Sequence, residues 1–271
     1  MPAERVTIGL LRGALRPEWP APASVNALMS TREGGVSRPP FDSLNLRPAA
    51  LPGDVVDDPL AVSENQRRFA AALGATPVWL DQVHGAEVVR LSREDLAPGR
   101  GFHRADASFT TERGVGCVVL VADCLPVLLC SRDGLVVGAA HAGWRGLGAG
   151  VIERTVAAMA DAAGCAPDQL MAWLGPCIGP RQFEVGADVL AAFGADPAAP
   201  DPTRFVARPR PDGAPRWLAD LPQLARDRLQ AAGLTEVSSG TWCTVEDASR
   251  FFSFRRDRIT GRLAAGIALR D

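Results

Sequence analysis

Three histidines, at 84, 103 and 141, and six cysteines hold all the imidazole and thiol chemistry of this chain. His84 falls in QVHGAE, Cys124 in VADCLP and His141 in AAHAGWRG, each where an apolar run stops and a loop begins. Strand ends of this kind are where α/β proteins place reactive groups. The separations, 40 and 17 residues, are not those of a zinc finger, so only the fold can bring the three side chains together. Imidazole and thiolate suit zinc, and three protein ligands leave a fourth position for water or substrate. His84, Cys124 and His141 are therefore the expected metal ligands. The same residues also compose a cysteine nucleophile, with Cys124 attacking, a histidine as base and Asp123 orienting it. The sequence leaves both possibilities open, beside the plainer one in which Cys124 is core and the histidines are structural. His103 lies in the polar stretch PGRGFHRADAS and is expected on the surface, outside the set.

The elements that must position these groups can be read from pattern and punctuation. NALMSTREGGVSRPPFDSLNL, with its Gly-Gly and Pro-Pro pairs, is a long ordered loop or a loop with short strands. Ser63–Leu73 reads as a helix capped by Ser63 and closed by Gly74. VWLDQVHGAEVVRL reads as strand, turn at Gly85 and strand, with His84 at the turn. Val- and Leu-rich runs at 116–124, 125–131 and 134–141 suit strands buried on both faces. Ala149–Ala163, Phe183–Phe193 and Trp217–Ala232 read as helices. LMAWLGPCIGP reads as a buried strand entering a Gly-Pro loop, and TEVSSGTWCT, RFFSFRRD and GRLAAGIAL read as strands. Interleaved helices and buried strands predict an α/β fold, a layered α-β-β-α-like single domain over 1–271 with buried mixed sheets. The loop-rich residues 1–25 and a Pro-rich excursion at about 194–215 punctuate it.

Composition narrows the chemistry. The formal charge is −2 and the 29 cationic residues are dispersed, which argues against a nucleic-acid partner. All of them are Arg, so Schiff-base chemistry and a Walker-type phosphate lysine are excluded. No apolar run approaches the roughly 18 residues of a membrane span, and the N-terminus lacks the pattern of an export signal. No membrane association and a cytoplasmic location are expected, with the irregularly spaced cysteines as reduced thiols.

Taken in order, STREGGVS (30–37), SLNL (43–46), QVHG (82–85), ADCLP (122–126), AAHAGWRG (139–146), LGPCIGP (174–180) and FFSFRRD (251–257) resemble the YfiH/LACC1 family. The likeness extends from about Asn26 to Leu269. Members are described as purine nucleoside phosphorylases, under older names of polyphenol oxidase or multicopper laccase and with a peptidoglycan-editing label. The resemblance implies an α/β domain with zinc on the histidine of QVHG, the cysteine of ADCLP and the histidine of AHAGWRG, here His84, Cys124 and His141. It implies phosphorolysis of adenosine, inosine, guanosine and methylthioadenosine, and hydrolytic deamination of adenosine. Phe254 stands where members often have Tyr, and Arg258 where they have Gly.

Those activities set further requirements. Deamination needs a proton carrier, and Asp123 is the candidate if the strand has ended there, with Asp106 in RADAS a second carboxylate. Catalysis is thus expected of Cys124, Asp123 and His141. Phosphate as co-substrate needs an anion site made by Arg, backbone amides or the metal. Arg32 and Arg145, in the two Gly-rich loops, are expected to serve it, and Asn45 and Gln82 to contact base or ribose. The glycines of AHAGWRGLGAG either bring amides to an anion or only permit close packing. The rival functions are a Cys-nucleophile hydrolase acting in peptidoglycan precursor editing and a phenol oxidase with copper as the alternative metal. Three histidines cannot supply a multicopper cluster.

Overall fold

The computed structural model describes residues 11–52, 56–239 and 242–270, so the first ten residues of the N-terminal stretch and positions 240 and 241 of TEVSSGTWCT lie outside the described residues. In chain order, β1 (Val25–Met29) and α1 (Pro59–Leu73) are followed by β2 (Thr76–Val78), β3 (Val88–Arg90), β4 (Ala107–Thr110), β5 (Val115–Val121), β6 (Leu125–Ser131) and β7 (Val137–Ala142). Next come α2 (Trp144–Gly148), α3 (Val151–Ala163), β8 (Leu170–Leu174), β9 (Glu184–Val185), α4 (Ala187–Ala192), β10 (Phe205–Ala207) and β11 (Trp217–Ala219). The chain ends with α5 (Leu221–Ala231), β12 (Glu236–Ser239), α6 (Phe254–Asp257) and β13 (Leu263–Leu269). These form a four-stranded sheet, β1-β13-β5-β2, a six-stranded sheet, β12-β8-β6-β7-β4-β3, and a small sheet, β10-β11-β9. Both larger sheets are mixed. β2 runs parallel to β5, β3 to β4 and β12 to β8, while the other pairings are antiparallel.

Side-chain alternation explains why the apolar runs are nearly continuous. On β5, Cys117, Val119 and Val121 enter the core between the two large sheets, while Val118 and Leu120 face α1. On β6, Leu128 and Cys130 join that inter-sheet core, and Leu125, Val127 and Leu129 face α3 and α5. Each strand is covered on both sides, which gives the order α1, four-stranded sheet, six-stranded sheet, α3 with α5. The expected α-β-β-α layering of mixed sheets is the architecture found. None of the described helices is long and apolar enough to cross a membrane.

Several boundaries differ from expectation, each for a local reason. Asp58, not Ser63, caps α1: its side chain accepts from the Leu60 amide at 2.9 Å, and Pro59 suits the first helical position. The helix expected over Ala149–Ala163 begins at Val151 as α3, because Gly150 adopts φ 90° and separates it from the preceding short helix α2. The starts of Phe183–Phe193 and Trp217–Ala232 are the strands β9 and β11, which pair with each other. Within the second of these, the Asp220 side chain caps a new helix at the Gln223 amide, 2.9 Å away. RFFSFRRD contains the short helix α6, capped by Ser253, in place of a strand. The Pro-rich excursion carries β10, whose Phe205 is buried in the core beneath the helices. Finally, VWLDQVHGAEVVRL is no hairpin, because β2 belongs to the four-stranded sheet and β3 to the six-stranded one. The turn bearing His84 therefore bridges the sheets.

Candidate metal centre and adjoining cleft

Cys124 lies at the entrance to β6, and His141 near the end of β7, paired across the ladder with Pro126. Antiparallel pairing of β6 with β7 thus places the thiol and one imidazole at the same sheet end. β5 stops at Val121, and Asp123 takes φ 99° so that the chain can turn into β6. His84 comes from the bridging turn, with φ 60°. The ligating atoms of His84, Cys124 and His141 lie within 4.8 Å of one another, and Cys124 Sγ is 3.9 Å from His84 Nε2. The imidazole planes meet edge to face, 77° apart with centroids separated by 4.8 Å.

One buried carboxylate organises both histidines. Asp106 Oδ1 accepts the His84 amide at 2.9 Å and lies 2.8 Å from His141 Nδ1, while Oδ2 accepts the amides of Val83 and Gly85 at 3.2 and 2.7 Å. The turn that carries His84 and the ring of His141 are thereby tied to one side chain, itself 0% exposed. With Nδ1–H given to Asp106, His141 presents Nε2 as a lone-pair donor, the usual outer-shell arrangement for a metal-binding histidine. Burial opposes ionisation of Asp106, but the bonds from His141 and the turn amides outweigh it and lower its pKa. Burial likewise opposes ionisation of Cys124, yet the adjacent His141 and His84 favour the thiolate and lower its pKa. Cys117, Cys130 and Cys177 are buried among apolar groups and pushed upward instead. The donor set, its spacing and the directed Nε2 fit a divalent zinc ion.

Small residues permit this approach. A Cβ on Gly143 would lie 3.0 Å from Cys124 Sγ and 3.3 Å from His84 Cδ2, and one on Gly146 only 2.6 Å from the Gly85 carbonyl. Close packing is thus the role of these two glycines. The remaining expectations separate. Gln82 lines the cleft beside the centre, but its side-chain amide is engaged with Leu120, donating to the carbonyl at 2.9 Å and accepting from the amide at 2.7 Å. Asp123 is past the strand end, yet does not line the cleft. Its oxygens accept the Thr244 hydroxyl and the Arg255 amide, both at 2.6 Å, so it anchors the C-terminal loops and α6. Asp106, the second carboxylate of the sequence reading, occupies the place at His141 expected of Asp123.

Arg32 also lies outside the cleft lining. It donates to the carbonyls of Asp42 and Ala248 and pairs with the Asp42 carboxylate, joining two loops. Arg145 stacks on Trp144, 4.3 Å from the ring centre, and is absent from the lining as well. Asn45 is buried and engaged with backbone amides and Asp57. His103 is partly covered and lies 2.8 Å from Asp95, away from the centre. The cleft holds about 350 Å³ and is lined, besides the three candidate ligands, by Asp81, Gln82, Phe254 and two arginines that sequence reasoning missed, Arg47 and Arg262. Arg47 directly follows SLNL, and Arg262 lies within GRLAAGIAL just ahead of β13, which was the available signal.

Fold and site together define a layered α/β protein with a His-Cys-His centre at the joined ends of its two main sheets. A family model described as multi-copper polyphenol oxidoreductase laccase matches residues 26–270. A purine nucleoside phosphorylase of Pseudomonas aeruginosa is 50% identical, over 95% of this chain and 98% of its own length. Purine nucleoside phosphorylase YfiH of Escherichia coli is 49% identical, over 93% and 97%. Among solved structures, a Neisseria meningitidis protein of the DUF152 family superposes with a TM-score of 0.83 at 43% identity, covering 95% of this chain and 99% of its own. YlmD from Geobacillus stearothermophilus gives a TM-score of 0.83 at 33% identity, over 96% and 97%. The chain belongs to the YfiH family.

Proposed function

We propose that the protein is a zinc-dependent purine nucleoside phosphorylase that accepts adenosine, inosine, guanosine and methylthioadenosine and also deaminates adenosine. The observation that carries this reading is the convergence of His84, Cys124 and His141 at the wall of a cleft that also presents two guanidinium groups among apolar side chains. The names of the relatives supply the substrate class, and purine nucleosides with phosphate are the expected partners. His84 Nε2, Cys124 Sγ and His141 Nε2 would hold the zinc, which supplies Lewis acidity when bound. Asp106 fixes the His141 tautomer and keeps the 83–85 turn in place. Phe254, 47% exposed at the cleft, offers an aromatic surface against which a purine can stack. The test is zinc content and nucleoside turnover on one preparation, wild type beside Cys124→Ala. Loss of both supports the reading, and turnover unchanged in metal-free protein refutes the zinc requirement.

A second reading has one specific observation in its favour. Cys124, His141 and Asp106 stand in the order nucleophile, base and orienting carboxylate, with the thiol biased toward thiolate. A hydrolase of that kind, of the sort a peptidoglycan-editing role would need, requires no His84. His84→Ala therefore separates the readings: the zinc reading loses activity in it, and the nucleophile reading keeps it. The copper phenol oxidase is the weakest alternative, since the chain has only three histidines in all.

A further inference from the structure

Asn45, expected to touch substrate, instead draws together two chain segments that each deliver an arginine. Its side-chain carbonyl accepts the backbone amides of Arg47 at 3.2 Å and Arg262 at 2.9 Å, and its amide donates to Asp57 at 3.0 Å. The SLNL loop and the start of β13 are thus tied at one point, and both guanidinium groups enter the same wall. Arg47 and Arg262 line the cleft of the candidate metal centre, and also an adjoining cavity of about 210 Å³ that Phe254 and Arg258 share.

What holds these two arginines is neutral. Arg47 Nη2 donates to the carbonyls of Leu51 and Pro52, and Arg262 Nη1 to those of Thr260 at 3.1 Å and Gly261 at 3.2 Å. Neither forms an ion pair with a carboxylate among the described residues, in contrast to Arg32, Arg204 and Arg210. Asp57, in the adjoining cavity, gives its oxygens to Ser37, Asn45 and the Asp58 amide. Asp81 is the carboxylate lining the main cleft. Carbonyls orient a guanidinium without cancelling its charge, and the remaining N–H groups of each, Nε and one terminal nitrogen, have no hydrogen-bond partner among the described residues. Burial, and then the neighbouring Arg47 charge, work against the Arg262 cation, while Cys124 and Asp123 favour it.

We propose that Arg47 and Arg262 form the phosphate subsite of the cleft, gripping a phosphoryl dianion with their free N–H groups beside the His-Cys-His centre. Planar guanidinium forks match phosphate oxygens, and in a chain without lysine they are the side chains able to do so. Inorganic phosphate, as co-substrate, is the occupant if the phosphorolysis reading holds. The phosphoryl group of a nucleoside 5′-monophosphate has the same chemistry.

The experiment is calorimetric titration of inorganic phosphate into the metal-loaded protein at low ionic strength, for wild type, Arg47→Gln, Arg262→Gln and Arg145→Gln. Saturable binding by wild type is expected, weakened about tenfold or more in each of the first two variants and unchanged in the third. Zinc content and thermal midpoint are recorded for each, and if Arg262→Gln does not fold, Arg47→Gln with Arg262→Lys carries the test. No binding by wild type, or wild-type affinity in both Arg47→Gln and Arg262→Gln, overturns the subsite. A parallel titration with inosine and inosine 5′-monophosphate distinguishes the sources. An arginine-dependent advantage of the monophosphate assigns the site to an ester phosphate, and its absence assigns it to inorganic phosphate. Intact phosphate binding without formation of ribose 1-phosphate would leave the subsite standing and remove phosphorolysis.

Discussion

Replacing Asp106 by Asn tests whether one carboxylate positions the whole centre. The wild-type oxygens accept four donors, the amides of Val83, His84 and Gly85 and His141 Nδ1–H. Asparagine has the same shape but one acceptor. Its NH2 must face either the Val83 and Gly85 amides or the His84 amide with His141, leaving two donors opposed to a donor in each case. A buried donor without a partner costs about 1 to 3 kcal/mol and the part-buried turn amides cost less, so the variant should lose about 1 to 3 kcal/mol of stability. If His141 turns its ring to recover a bond, it no longer directs Nε2 at Cys124, and zinc affinity should fall by roughly 10- to 100-fold, as for other outer-shell changes. Denaturant unfolding and competition with a chromogenic chelator measure the two effects. In the double variant with His141→Ala, the further loss of zinc affinity from Asp106→Asn should shrink, since part of it acts through His141. Wild-type zinc affinity together with a wild-type unfolding midpoint in Asp106→Asn would refute the reasoning.

On the zinc reading, wild type should carry about one zinc per chain, and His84→Ala and His141→Ala should each lose it and the activity while remaining folded, as read by metal analysis and circular dichroism; full metal in either removes that residue from the ligand set. His103→Ala should keep zinc and turnover, because its partner is Asp95. Burial raises the Asp95 pKa, but the Ser92 amide, His103 and Arg100 outweigh it and bring the value down to about 2. The folded value lies below the unfolded one, so the associated stability is present above about pH 4 and is lost as pH falls through about 2. Acid titration of unfolding should accordingly lose about 1 to 2 kcal/mol less in Asp95→Asn than in wild type, and an unchanged acid limb contradicts this. Gly143→Ala strains no dihedral, since φ is −63°, but places a methyl carbon 3.0 Å from Cys124 Sγ. It should lower zinc affinity more than stability, and chelator competition showing no change would mean that the ligands have room to shift.

The sequence was most informative where one physical constraint acted alone. A strand buried on both faces must be apolar at every position, so β5, β6 and β7 could be read nearly to their ends, and with them the loops bearing Cys124 and His141. Donor chemistry then picked out the two histidines that the fold brings to Cys124, while His103 sits in a polar loop and pairs with Asp95. Reading failed where a single side chain redirects the backbone. Nothing local in QVHGAE tells that the Asp106 carboxylate gathers three successive amides, which is why the segment bridges two sheets and does not close a hairpin. Arginines posed the opposite difficulty. Glycine-rich surroundings suggested Arg32 and Arg145, but glycine reports close approach of backbone, and those side chains are spent on Asp42, Ala248 and Trp144. Whether a guanidinium is free to bind an anion depends on what already holds it, carboxylate or carbonyl. Arg47 and Arg262 are each held by carbonyls of their own loop, and what joins the two is Asn45, which accepts both backbone amides and lies 217 positions from the second of them, so the candidate anion site becomes visible only when the two ends of the chain are seen side by side.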